Sequence, residues 1–344
     1  MSITLSGISN DILSTTIYEI ADEVSEGLFE TTPFLSVARK LGKGQTFDGG
    51  YKLVVPIETK EHSQVTVLDS GWEALDLSVQ DFTEQAEYDW TRLAMPVLIS
   101  GREEAENSGD RAIIDLAEAR FKNAMSALMR QVNQQIVRGG TAFGSSMSTL
   151  NGNTGSTYGT ATGFLEDAAV GSQGNTIGGL TRGTVNGLNN QFLNAGGGLT
   201  LAEMYEVETA ASTLLPAGGD GGRFHLTLAS LNAYSVYRNL LQNNERYVDA
   251  TTLDASGVSS IRFSSGVIMP ERQMDVGATG AGANSLMMLN LDGIKLYTHR
   301  GADFEFTGFE NISGYDGRYG RILFMGGLTA NHIGSSALIT NGEA

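Results

Sequence analysis

The feature that most constrains this chain is one long helical region with a very different segment on each side. From Ser100 to Arg138 the apolar residues Ile113, Ala117, Phe121, Ala124, Leu128, Val132 and Ile136 recur at spacings of three and four. That period lays one apolar stripe along one face of a helix. Ser100-Gly101-Arg102-Glu103 has the spacing of a capping box, in which hydroxyl and carboxylate each satisfy an orphan amide. Ser108-Gly109-Asp110 offers a second start, so a break is expected near there. From Asp110 to Arg138 the helix would run about 43 Å at 1.5 Å per residue, and Gly139-Gly140 stops it. An extended acidic segment (47–99) precedes it and a Gly/Thr/Ser/Asn-rich tract (139–198) follows. A helix of this length beside an extended arm is a part that contacts neighbours, a signature of assembly more than of an active site.

Composition narrows the classes. At 344 residues the chain can bury a sizeable core, and its 41% hydrophobic and 18% charged residues read as globular. With 44 Gly against 5 Pro, turns and loops dominate over stiff linkers. No cysteine is present, so disulfides and thiolate metal sites are excluded. No apolar run approaches the roughly 20 residues of a membrane span, and residues 1–10 lack the pattern of a signal peptide; synthesis in the cytoplasm and no membrane partner are expected. The net charge is −17, of which −13 falls on residues 1–110, where 20 acidic side chains face 7 basic ones. Such a chain is poorly suited to tight nucleic-acid binding, which draws its affinity from Lys and Arg on phosphates.

Along the chain, residues 1–45 read as an arm. Asn10-Asp11 can cap a helix with Leu13, Ile17, Ile20, Ala21 and Val24 on one face, and Pro33-Phe34-Leu35 opens a second short element running to Leu41. With little of its own to fold against, this segment is expected to pack elsewhere in an assembly. Residues 46–99 read as β: Tyr51–Ile57 and Val65–Leu68 are rich in β-branched residues, and Leu75–Gln80 alternates apolar with polar. From Asp69 to Asp89 there are seven carboxylates and no Lys or Arg. These strands suggest a projecting hairpin, and since isolated hairpins are marginal in water it should lie on a neighbour. Residues 141–198 read as loops with one hairpin. From Leu199 a compact α/β unit follows: a helix capped by Thr200, a strand at Phe224–Leu228, a helix at Ser230–Leu241 with Leu231, Tyr234, Tyr237 and Leu241 on one side, and strands near 260–269 and 285–290. Asp292-Gly293 reads as a hairpin turn, and Ile294–His299, Phe304–Phe306 and Arg321–Met325 as strands.

Catalytic constellations are thin. His62, His225, His299 and His332 are scattered, with no zinc-binding pair and no Gly-x-Ser-x-Gly elbow. Gly42-Lys43-Gly44-Gln45-Thr46 lacks the spacing of a phosphate loop, and the carboxylates at 69–89 lack that of a calcium loop. The Gly-Gly-Gly run at 196–198 is not framed as a dinucleotide site. No enzyme, cofactor or metal is expected.

The order of parts resembles the major capsid proteins of tailed bacteriophages, the Hong Kong 97 fold. Thr32-Pro33-Phe34-Leu35 followed by Gly49-Gly50-Tyr51 is similar to the arm-to-loop passage of that family, and Leu289–Leu296 to its return from axial to peripheral domain. The resemblance implies an α+β fold with an N-terminal arm (1–45), an extended β-hairpin loop (46–99), a long spine helix in a peripheral domain together with the Gly-rich tract (100–198), an α/β axial domain (199–285) and a β-rich return completing both domains (286–344). It implies a non-enzymatic protein that assembles as pentamers and hexamers into an icosahedral shell around double-stranded DNA, itself touched only weakly. Assembly would take place in the host cytoplasm, with the protein ending in the virion. A separate scaffolding protein, a portal and a decoration protein are the other implied partners. Ring assembly from one chain needs heterologous contacts that close about an axis. The implied intersubunit contacts are Tyr51, Lys52, Lys60, Trp72, Asp76, Asp81 and Glu84 of the hairpin. Some relatives cross-link Lys to Asn; for Lys52 and Lys60, plain lysines on a solvated strand are the favoured reading. Two rivals stand beside this one. An encapsulin-like bacterial nanocompartment would share the fold and enclose a cargo enzyme, recognised by a peptide pocket on its inner face. A β-rich hydrolase or adhesin would need convergent acids, a nucleophile–base pair or a secretion signal, and none is found.

Overall fold

A computed structural model of the chain describes residues 32–42, 44–59, 65–67, 69, 71, 75, 77–79, 81–106, 110–138, 148–151, 163–182, 185–196, 198–213, 224–242, 261–264, 266–274, 284–311 and 314–340. The helix expected over 11–24 lies outside them. In chain order, helix α1 (Pro33–Lys40) leads to β1 (Gly44–Phe47), β2 (Leu53–Glu58), β3 (Thr83–Tyr88) and β4 (Thr91–Ser100). The split helix α2 (Gly101–Glu106) and α3 (Asp110–Val137) follows, then β5 (Thr176–Ile177), β6 (Leu180–Thr181) and β7 (Gln191–Asn194). Next come α4 (Leu201–Ser212), β8 (Leu226–Ala229), α5 (Leu231–Gln242), β9 (Ile261–Phe263), β10 (Gly266–Pro270) and β11 (Leu286–Leu289). The chain continues through β12 (Ile294–Phe306), β13 (Glu310–Asn311), β14 (Gly317–Ala330) and β15 (Ala337–Thr340).

The first sheet is built on β14. Strand β12 pairs with one edge of it, β4 pairs with the other over Thr91–Ser100, β13 joins near its start, and β1 adds in parallel to β12. Helix α3 lies against β4 and β14. It buries Ile113, Ala117, Phe121, Met125, Leu128, Met129, Val132 and Ile136, which is the stripe read from the sequence with two methionines added and Ala124 at its half-buried margin. Helix α2 starts on the expected capping box: Ser100 N donates to Glu103 Oε2 at 3.1 Å, and Glu103 N donates to Ser100 Oγ at 3.4 Å.

The second sheet runs β7-β15-β11-β8-β10-β9. Its central strands Leu-Thr-Leu-Ala, Leu-Met-Met-Leu and Ala-Leu-Ile-Thr are buried at every position, as strands covered on both faces must be. Successive side chains divide between the two covers. Leu226, Leu228, Met287, Leu289 and Leu338 join the core that holds α1 and α3, while Ala229, Leu286, Met288, Ala337 and Ile339 join the one under α4 and α5. Thr200 and Glu203 form a reciprocal capping box on α4.

Four expectations are corrected. The segment 33–41 does not lack a partner in its own subunit: Phe34, Leu35, Val37 and Ala38 are buried and α1 packs beside β8. The described residues of Val65–Leu68 and Leu75–Gln80 are not strands; β2 returns through Thr83–Tyr88, and Thr91–Ser100 pairs with β14 outside the hairpin. On α5 Tyr237 is buried and Tyr234 and Leu241 pack partly buried on the same core as expected, but Leu231 is half exposed and Ala233 and Val236 complete the buried face. Asp292-Gly293 is no hairpin turn, because β11 and β12 lie in different sheets. It is a crossing between sheets, held so closely that a Cβ on Gly293 would stand 1.8 Å from His332 O.

Candidate functional site

Strands β2 and β3 pair antiparallel from Leu53 opposite Tyr88 to Glu58 opposite Thr83, and Thr59 N extends the ladder to Phe82 O at 2.8 Å. Alternation gives the ribbon two faces. Leu53, Ile57, Ala86 and Tyr88 are buried, while Val54 opposite Glu87 and Glu58 opposite Thr83 face outward. Across the outer face Lys52 Nζ meets Glu87 Oε2 at 2.8 Å, and this hydrogen bond raises the lysine's pKa.

Beyond Thr59 and Phe82 the described residues carry apolar side chains into solvent. Val65, Val67, Leu75, Leu77, Val79 and Phe82 are all exposed, Val79 to 95%. They share this stretch with the carboxylates of 69–89. Single apolar residues on a surface need no explanation, but six of them exposed within one stretch of sequence are unusual.

Of the expected contact residues, Tyr51 stands at the hairpin entry, 93% exposed, and Asp81 and Glu84 are exposed on the return strand side. Lys52 is engaged by Glu87. Lys60, Trp72 and Asp76 lie outside the described residues. The residues that sequence reasoning left out are Leu77, Val79 and Phe82. The signal is present in the alternation of Leu75–Gln80, which the sequence reading assigns to a strand of a hairpin lying on a neighbour without naming its apolar residues as the contacts.

A second surface lies along α3. Strand β4 pairs with β14 on one edge, and among the described residues no strand pairs with the other. Between β4 and α3 runs a groove lined by Leu93, Met95, Ala127, Leu128, Arg130, Gln131 and Gln134, continuing past Pro96, Leu98 and Ala124. Leu98 is 53% exposed at its end. There Arg120 donates to Leu98 O and to Glu103, and that contact, with the amide and hydroxyl of Ser100, lowers the Glu103 carboxyl to about 2.

The Gly-rich tract holds the deepest charge. Arg182 is fully buried, donating from Nη1 to Gln173 Oε1 at 2.9 Å and Asn190 Oδ1 at 2.8 Å, and from Nη2 to Gly163 O at 2.7 Å and to Phe164 O. Glu166 Oε2 stands 3.7 Å from its Nε. Burial lowers the guanidinium pKa to about 10, with Glu166 opposing, so it stays charged at neutral pH.

Catalytic geometry does not emerge around these residues. Among the described residues no three His, Cys, Asp or Glu side chains group to hold a metal, and no helix is long and apolar enough to cross a membrane. His225 stands 3.9 Å from Asp292, His299 packs edge-on to Trp90, and burial lowers the pKa of His332.

No protein-family model matches the chain, and no curated protein matches its sequence. Solved structures do match. The chain is similar to the capsid asymmetric unit of cyanophage A-1(L), with TM-score 0.61 and 16% identity over 90% of this chain and 92% of that one. It is similar to the capsid of an empty GTA particle, with TM-score 0.54 and 12% identity over 90% and 96%. It is also similar to the holo-SrpI encapsulin complex from Synechococcus elongatus, with TM-score 0.51 and 13% identity over 89% and 88%. At these identities the likeness is one of fold: this is a mixed helix-and-sheet chain with the fold of phage capsid subunits.

Proposed function

We propose that this chain is the major capsid protein of a tailed bacteriophage, a non-enzymatic subunit of the Hong Kong 97 type. Its pentamers and hexamers would form the icosahedral shell around double-stranded DNA. The observation that carries the reading is the hairpin: a ribbon rooted in its own subunit whose far end spreads apolar and acidic side chains into solvent. The groove between β4 and α3, with an open strand edge and Arg130 on its wall, is the kind of surface such a ribbon complements. Fold likeness to the cyanophage capsid supports it.

The division into arm (1–45), hairpin loop (46–99, of which Thr91–Ser100 pairs with β14 instead), peripheral domain (100–198), axial domain (199–285) and return (286–344) belongs to the same proposal. In its favour, the return supplies β12 and β14 to the spine sheet and β11 and β15 to the other. A separate scaffolding protein, a portal, a decoration protein and weak DNA contact complete the proposed partners, with assembly in the host cytoplasm. Tyr51, Lys52, Lys60, Trp72, Asp76, Asp81 and Glu84 remain the proposed contacts, joined by Leu77, Val79 and Phe82. The encapsulin likeness favours a second reading, a nanocompartment shell.

The test is to replace residues 60–81 with Asn-Gly, a two-residue turn that closes the ladder where Thr59 meets Phe82. Negative-stain microscopy of the full chain, alone and with a scaffold, should give closed or tubular shells, and the shortened chain should stay a soluble subunit. Shells of normal form from the shortened chain would remove the hairpin's role. Wild-type shells that co-purify with one enzyme would favour the nanocompartment.

A further inference from the structure

A two-stranded ribbon is marginal by itself, so the direction in which β2–β3 projects is set by what grips its root. On the inner face of β3 that grip is the turn between β5 and β6. Glu87 N donates to Gly178 O at 2.9 Å. Gly178 has φ +55°, and a Cβ there would stand 2.6 Å from Ala86 Cβ and 3.1 Å from the Tyr88 ring. Glycine is needed twice, for its conformation and for its clearance. The Phe164 ring meets Tyr88 edge-on, with centroids 6.2 Å apart.

A turn can hold a ribbon only if it is itself held. Residues 163–182 do this through Arg182, whose forked guanidinium takes four acceptors at once, a geometry that lysine cannot reproduce. Glu166 accepts from Gly174 N and Asn175 N, both at 3.0 Å, immediately before β5. Asn190 accepts from Arg182, and the next residue opens β7 of the six-stranded sheet. The connection is continuous from that sheet through Asn190 and Arg182 to the turn, and from Gly178 to β3. A buried ion pair is weak evidence for stability, so the lock lies in the hydrogen bonds of Arg182 rather than in its charge pairing with Glu166.

We infer that the β5–β6 turn, locked by Arg182, is a bracket that sets the angle of the β2–β3 ribbon and positions it for assembly. The second half rests on the capsid reading. Gly178, Arg182 and Phe164 are positioning residues. They act through β3 and need touch no neighbouring subunit.

The experiment is Gly178→Ala, with hydrogen exchange measured on the unassembled full chain and particle diameter measured by electron microscopy. The expected result is exchange at Glu84–Tyr88 about tenfold faster than wild type, unchanged protection in β8 and β11, and particles of mixed diameter. Ala86→Gly added to Gly178→Ala frees the space and should recover part of both effects. Phe164→Leu, which leaves the turn intact and removes the ring from Tyr88, should give a smaller effect of the same kind if Gly178→Ala does not fold. Exchange at Glu84–Tyr88 within about twofold of wild type would overturn the bracket. Faster exchange with particles of uniform wild-type diameter would overturn its assembly role. Wild-type chains that form no particles would overturn the capsid reading, and the exchange comparison would then decide the bracket alone.

Discussion

Tyr88 and Ala330 exchange two hydrogen bonds: the phenol donates to Ala330 O at 2.6 Å and accepts from Ala330 N at 3.3 Å. The first residue ends β3 and the second ends β14, so one side chain ties the ribbon's root to the central strand of the first sheet. Burial pushes the phenol's pKa well above its ordinary value, and it remains a donor throughout the working range.

Tyr88→Phe removes both bonds without changing the ring's packing on Phe164. A buried backbone group that loses its partner costs about 1–3 kcal/mol. Urea unfolding should show a lower midpoint with an unchanged slope. An unaltered midpoint would mean that water replaces the phenol.

Phe121 is fully buried under the spine helix, its ring edge-on to Phe306 with centroids 5.4 Å apart. Phe121→Ala should destabilise the subunit by about 3–5 kcal/mol. Phe121→Asp should leave no folded subunit, because an unpaired carboxylate would be buried. Circular dichroism and gel filtration decide both, and a folded Asp variant would mean that this helix face is not the buried one.

Glu103 links helix start to helix body. Its carboxyl lies near 2 rather than 4.5, chiefly through the hydrogen bond to Arg120 and then through Ser100. A carboxyl whose folded pKa is below its unfolded one adds stability that is whole at neutral pH and is lost as pH falls from about 4.5 through 2. The stability difference between wild type and Glu103→Gln should therefore be largest at pH 7 and shrink toward pH 2. Solvent screens this pair, so the difference is small. A gap that widens on acidification would contradict the assignment.

Leu77 and Val79 contact nothing that their exposure would register as burial. Replacing both with Ser should move subunit stability by no more than about 0.5 kcal/mol while abolishing shell formation. Shells of normal yield would shift the contact surface away from the ribbon's end.

What could be read from the residues follows from range. The apolar stripe of α3, the capping box at Ser100 and Glu103 and the cap at Thr200 are local patterns that do what their spacing implies, and the structure adds Glu203 as the second half of a box at Thr200. The return strand was misplaced because Thr83-Glu-Gln-Ala-Glu-Tyr88 has no strand-like composition. It is β because Leu53–Glu58 pairs with it and because Ala86 and Tyr88 dock on Gly178 and Ala330. Tertiary contact overrides propensity there. Arg182 was illegible for a related reason. Its acceptors at 163, 164, 173 and 190 follow no period, and a Gly-rich tract gives no hint that a charge lies at its centre.

The pairing of β4 with β14 has a consequence in time. Strand β4 ends at Ser100 and its partner begins at Gly317, while β7 at Gln191–Asn194 waits for Ala337–Thr340. At about 5–20 residues per second, a ribosome needs roughly ten to forty seconds to make the interval between Ser100 and Gly317. During that interval neither sheet can close, and contacts this distant in sequence form slowly. The ribbon's root is incomplete for the same period, since Tyr88 has no Ala330 to bind. A nascent chain therefore cannot hold an oriented ribbon, and on the capsid proposal any joining to other subunits would wait until synthesis has passed residue 330.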